Sequence, residues 1–318
     1  MKKFIAESVT YLHPDKICDQ ISDNILDECL KQDPFSKVAV ETIGGHGFIR
    51  LIGEITTKAK VDLKKIAQSY YQLLTGKKIK VESHITKQSP EIAIGVDHGG
   101  AGDQGIMIGY ACDENDAYIP NELYLARKLL IGINTDGKSQ VVISNNKIES
   151  VVLSIQGKTK EQLKEHIKKI KIFNGSIKYF LNNTGSFDIG GFDADSGCTG
   201  RKIVVDAYGP RVPVGGGAFS GKDATKVDRS AAYMARWVAL QLLKKYSAKE
   251  VLVKLGYVIG GEEPLLKTAY IDGRETVFKY DCRPKAIIEM FDLRKPIFTQ
   301  TAKNGHFGFI NIYPWEKI

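Results

Sequence analysis

No Cys-x-x-Cys pair occurs in this chain, and its five cysteines (Cys18, Cys29, Cys112, Cys198, Cys282) lie far apart. That excludes a disulfide framework, offers no zinc signature, and fits reduced thiols in a cytosol. No apolar run approaches the roughly 18 residues of a membrane-spanning helix. The start, MKKFIAESVT, has lysines but no apolar leader segment. A cytoplasmic chain without a membrane partner is expected. Also missing is any block of one charge sign. The net charge is +8, from 45 Lys and Arg against 37 Asp and Glu. The lysines are spread along the chain, however, and do not form the stripe that binds nucleic acid, so no nucleic-acid partner is expected. The densest basic run, Lys158 to Ile172, reads as a helix with Leu163, Ile167 and Ile170 on one face and a solvated basic face opposite.

What is present is globular. The 318 residues are 43% apolar and 26% charged, enough for a buried core and for two or three domains. A helix is predicted from Pro14, with Ile17, Ile21 and Ile25 spaced four apart. Two strand-like runs follow, KVAVETI and GFIRLIGEITT, then a helix from about Val61 to Leu74 closed by Gly76. A glycine-rich stretch, Gly95 to Gly105, marks a loop or boundary. Beyond it come a helix from Pro120 to about Leu130, strands Ser139–Ser144 and Lys147–Ile155 across Asn145-Asn146, and the basic helix. The last third holds a glycine loop at Gly215, a helix from Asp228 to about Lys245, strands near 250–260 and 265–272, and a helix from Pro284. Helices alternating with strand pairs predict an α+β fold with antiparallel or mixed sheets, in three similar units.

The segment GGGAFSGKD (Gly215 to Asp223) carries the strongest chemical signal. Three glycines free the backbone to bring N–H groups to an anion. From Gly216 the text matches GxxxxGK, but Asp223 stands where a P-loop needs Ser or Thr. The loop is therefore read as phosphate-contacting without being a P-loop, possessing at most a preceding strand at Lys202–Asp206. Arg201, Lys202, Lys222 and Lys226 suit a polyphosphate, and Asp228 beside them suits a bridging metal. A second constellation is Leu12-His13-Pro14-Asp15-Lys16, where Pro14 opens a helix and His13 caps it, at an end that attracts anions. GAGDQG (Gly100 to Gly105), with QSP (Gln88 to Pro90) upstream, reads as a ligand loop or a plain turn. Asp136 and Lys138, two apart at a strand entry, are expected on one face. Glu41 and Glu54 are acids inside apolar strands, where a buried carboxylate needs a partner or a cation.

Together these segments closely resemble the methionine adenosyltransferase (S-adenosylmethionine synthetase) family. The matching text is ESVTYLHPDKICDQISD, GAGDQG, DGKSQV, GCTGRKIVVDAYG, GGGAFSGKDATKVDRSAAYMAR, and GHFG before PWEK. The resemblance implies three related α/β sandwich-like units about a pseudo-threefold axis: 1–90, 101–187 and 189–318, intertwined in space, with 91–100 a loop. It implies formation of S-adenosylmethionine from ATP and L-methionine, with triphosphate leaving and then cleaved to pyrophosphate and phosphate. Two Mg2+ and one K+ are implied, as is a homodimer with shared active sites, in which two dimers can pair into a tetramer.

Residue by residue, the resemblance puts His13 at the 5′ oxygen and triphosphate, Asp15 and Asp228 on magnesium, and Glu41 on potassium. Glu54, Gln88, Asp195 and Lys226 would meet methionine, and Asp103 would lie near methionine and the ribose. ATP would be contacted by His13, Asp136, Lys138, Phe187, Asp195, Arg201, Lys202, Ala218 and Lys222. His13, Lys222, Arg201 and Asp103 would serve the chemical step. A different magnesium-dependent ATP phosphotransferase, and a catalytically silent nucleotide- or RNA-binding protein, are the competing readings.

Overall fold

Alternation along Lys37–Gly45 (β2) sends Val38, Val40 and Thr42 inward and Glu41 and Ile43 out. One apolar and one open face is the pattern of a half-covered sheet. A computed structural model describes residues 2–87, 99–173 and 175–318. Among them the strands form three four-stranded sheets. In the first, Lys3–Val9 (β1) is followed across the sheet by Gly137–Ser144 (β6), Lys147–Ile155 (β7) and Lys178–Leu181 (β8). The second runs Lys80–Thr86 (β4), Phe48–Thr56 (β3), β2 and Gly197–Cys198 (β9). The third runs Arg274–Thr276 (β12), Leu266–Ile271 (β11), Glu250–Tyr257 (β10) and Gly105–Cys112 (β5).

Two of the sheets share a plan: an antiparallel hairpin, a helix, then a strand returning parallel to the second hairpin strand. The helix is Leu63–Thr75 (α2) in one and Lys160–Lys169 (α4) in the other. The third sheet replaces the parallel return with antiparallel β12. Each sheet also takes a strand from a distant part of the chain: β1 joins β6, β5 joins β10, and β9 joins β2. The turn predicted at Asn145-Asn146 is there, both residues at positive φ, as a tight hairpin requires.

Helices cover the inner faces. Pro14–Gln32 (α1) lies on β2, Asn121–Lys128 (α3) on β1 and β6, and Val227–Tyr246 (α6) on β5 and β10. Close approach is forced at Gly109: a Cβ there would lie 2.0 Å from the Ala235 carbonyl, so glycine lets β5 sit against α6. The short helix Ile203–Asp206 (α5) occupies the segment read as a possible strand. The Asp206 and Ala207 amides donate to the Lys202 and Ile203 carbonyls, and the turn brings the Asp206 carboxylate to Lys16 at 2.7 Å. Pro284–Phe291 (α7) starts at its proline as expected, and Phe298–Asn304 (α8) packs on α1. All five cysteines are free. No helix of the described residues is long and apolar enough to cross a membrane.

Candidate active site

Helix α1 organises the site. Asp15, Asp19, Asp23 and Asp27 recur every four residues, so they share one face, and all are buried. Each accepts backbone N–H groups from a segment distant in sequence: Asp15 and Asp19 from one segment, through Cys198 at 3.0 Å and Gly200 at 2.8 Å, and Asp23 from Gly221 at 2.8 Å. Asp27 accepts from Phe298 and Thr299 at 3.0 and 2.8 Å. The ladder thus pins both cation-bearing loops to one rigid helix. The sequence pointed to Asp15 and to the isoleucines at this spacing but not to Asp19, Asp23 and Asp27, whose identical four-residue recurrence was the available signal.

At the top of α1, His13 caps the helix, its Nδ1 accepting from the Asp15 amide at 3.2 Å. Burial, with Lys202 nearby, pushes the imidazole down to about 4. The ring is therefore neutral at pH 7, and since Nδ1 accepts, Nε2 carries the proton. Asp15 is wrapped by Lys202 (2.5 Å) and Arg201 (2.7 Å). Burial raises its carboxyl, but Lys202 and the Cys198 amide outweigh that and hold it below the ordinary value. Asp136 lies just before β6, buried, with its carboxylate on the Gly191 amide at 2.8 Å, and burial raises its pKa. Lys138 is exposed and pairs with Glu7 at 3.0 Å. The charges of Lys138 and Asp195 are both felt at His13, and that of Asp195 at Asp136, which gathers these groups into one neighbourhood. Phe187 is half-buried and its carbonyl accepts from Gly157.

The second cluster is the glycine loop. Gly217 donates to Asp228 at 3.0 Å, and Lys222 pairs with the same carboxylate. Asp228 thus has a protein cation beside it. The loop is not a P-loop. It runs from the surface into the start of α6, with Lys222 bridged to Ala39 on β2. Asp223 is an anchor that takes the Val38 amide at 2.7 Å and Lys226 at 2.6 Å. Gly221, at φ +81°, brings the backbone so close to Val40 that a Cβ would lie 2.0 Å from its carbonyl oxygen. Ala218 packs beside Gly200, next to Arg201. Asp103 is exposed, just ahead of Gly105, which neighbours Asp228.

The acids of the second sheet need correction. Glu41 is exposed and Glu54 half-buried, because both fall on the strands' outward register. They stand on the open face rather than inside the core. Gln88 lies outside the described residues, as does most of the 91–100 loop.

Buried charge holds this frame together. Arg229 forks onto Asp23 at 2.6 and 2.8 Å and donates to the Lys222 carbonyl at 3.0 Å. Lys16 joins Asp19 and Asp206 at 3.0 and 2.7 Å.

An α+β chain with two loop-borne cation clusters anchored to one helix has the makings of a polyphosphate site, as in nucleotide-using enzymes. Family models for S-adenosylmethionine synthetase match throughout: the N-terminal domain over residues 1–90, the central domain over 98–187 and the C-terminal domain over 189–317. The S-adenosylmethionine synthase of Brachyspira hyodysenteriae is 41% identical over 375 residues, covering 99% of this chain and 95% of that protein. That of Clostridium botulinum is 41% identical over 377 residues (99% and 96%), and that of Petrotoga mobilis 40% over 390 (100% and 97%). Alignments longer than this chain mean that the relatives carry segments it lacks. The chain belongs to the S-adenosylmethionine synthetase family.

Proposed function

We propose that this chain holds the whole triphosphate of ATP between its two cation clusters while methionine sulfur attacks C5′ of the ribose. By family it is an enzyme, a methionine adenosyltransferase. The observation that carries the mechanism is that both clusters hang from one buried acid ladder, which fixes Arg201, Lys202 and Lys222 before any ligand arrives. Thioether sulfur is a neutral nucleophile with a free lone pair, so no base is needed. The C–S bond forms, the C5′–O bond breaks, and its electrons leave on the triphosphate as a sulfonium forms. The site must supply alignment and charge stabilisation. Neutral His13 offers its Nε2–H to the departing oxygen. Water then cleaves the triphosphate to pyrophosphate and phosphate.

Asp15 and Asp228 fit magnesium. No group of three or more His, Cys, Asp or Glu that could hold a metal occurs among the described residues. A pair of carboxylates completed by substrate phosphate oxygens is, however, how magnesium is commonly bound. When bound, the ion would neutralise charge growing on the leaving group. Glu41 would hold potassium. Glu54, Gln88, Asp195, Asp103 and Lys226 would meet methionine and the ribose, and Asp136, Lys138, Phe187 and Ala218 would meet ATP.

A homodimer with shared sites is supported by the open sheet faces, which expose Ile5, Ile43, Ile52 and Ile106 at 40–55%. A cytoplasmic location accords with the free thiols.

Incubation with ATP, magnesium, potassium and L-methionine, followed by mass detection of the sulfonium, tests the reaction. Phosphate moving to another acceptor without methionine dependence would favour the phosphotransferase reading. Lys222→Ala and Asp228→Asn are expected to lower kcat about 100-fold, the cost of one lost charge-stabilising contact of about 3 kcal/mol. If activity merely followed the folded fraction in circular dichroism, both residues would be structural.

A further inference from the structure

A cavity lies on the other side of the first sheet from Lys138. Glu7 and Lys138 face outward, whereas Ser8 and its cross-strand partner Ser139 turn toward α3. Between the end of β1, the end of α3, the segment that follows it and the loop after α8 opens a space of about 460 Å³. That is within the range of small-molecule sites, roughly 300–1,000 Å³.

Its lining has a definite chemistry. Arg127, Lys128 and Lys303 contribute three cations, and no Asp or Glu lines the cavity. Lys128 lies over the Tyr124 ring at 4.9 Å, Lys303 over Tyr11 at 4.5 Å, and Arg127 by Phe309 at 5.8 Å. Among the described residues neither lysine has an ion-pair partner. Arg127 spends its terminal nitrogens on backbone carbonyls of Phe307, Val205 and Ala207. Two lining residues also carry a polar atom that is sealed from solvent and has no hydrogen-bond partner: the Thr10 hydroxyl and Arg127 Nε.

We propose that this cavity is a second ligand site, for a small aromatic phosphate monoester. A dianion answers the two lysines that have no ion-pair partner, and a flat ring packs against the aromatic lining. The site is linked to the catalytic end of the chain. Thr10 donates to Gly137 at 2.9 Å and accepts from the His13 amide at 3.1 Å, so occupancy is felt one turn from the cap of α1. The assignment rests on the cavity alone and does not depend on the reaction proposed above.

The test uses 1-naphthyl phosphate, followed by its own fluorescence, on the full chain saturated with a non-hydrolysable ATP analogue, magnesium and methionine. One saturable site per chain is expected, with at least ten-fold weaker binding of 1-naphthol, which lacks the phosphate. Lys303→Glu and Ile131→Trp, the second at a 63% exposed position on the cavity rim, are expected to weaken the phosphate ester at least ten-fold. Should Lys303→Glu lower the melting temperature, Ile131→Trp alone decides. Absence of saturable binding, or its loss when the analogue is present, would overturn the proposal. So would naphthol binding as tightly as its phosphate, or wild-type affinity in Ile131→Trp.

Discussion

His13 shows how a single residue's role depends on its surroundings. A histidine beside a triphosphate invites the reading of a cation, yet burial and Lys202 keep it uncharged at neutral pH. Its proposed contribution is a directed Nε2–H, not a charge. His13→Asn keeps a donor but moves it, and adenosyl transfer is expected to slow by about 100-fold, as for loss of an oxyanion donor. Single-turnover rates equal to wild type would reject that role. Asp23 lies deeper and touches no substrate. It neutralises Arg229, and both are fully buried. Asp23→Ala would strand that guanidinium, and urea unfolding is expected to show a loss of about 3–5 kcal/mol. An effect below 1 kcal/mol would mean that Arg229 finds another partner.

Among the elements, α1 and α6 carry the site, and each is fixed by a different device. The acid ladder fixes α1. Contact with β5 at Gly109 fixes α6, whose first turn presents Asp228. Gly109→Ala would drive a methyl into the Ala235 carbonyl. Overpacking of this kind costs about 1–3 kcal/mol, so the melting temperature is expected to fall and kcat to drop as Asp228 shifts. An unchanged melting curve would show that β5 can retreat without cost. The helix at 203–206 illustrates a limit of local reading. Ile-Val-Val has strand propensity, but the Asp206–Lys16 contact required a turn, and tertiary contact prevailed over propensity.

For the molecule as a whole, the exchange of strands among the three sheets means that no third of the chain can complete its own sheet. β1, β5 and β9 each tie a distant segment into place, so the chain is expected to unfold cooperatively. The homodimer proposed above would pair through the open sheet faces. Ile52→Glu, at a 40% exposed position on β3, is expected to shift the sedimentation coefficient to that of a monomer and to abolish activity. A fully active monomer would dispose of the shared-site reading.

The sequence alone determined the hairpin–helix alternation, the proline-started helices at Pro14 and Pro284, the Asn145-Asn146 turn, and the family, because these rest on local backbone chemistry or on contiguous motifs. It also singled out Asp223 as the residue that rules out a P-loop. Only the tertiary structure decided that Glu41 and Glu54 face outward, that Asp228 already has Lys222, that Asp15 to Asp27 form one ladder, and that Thr10 and Arg127 share a cavity. The physical reason is distance along the chain. Asp23 meets Arg229 across about two hundred positions, and the charge state of a buried group is set by such neighbours rather than by its own segment.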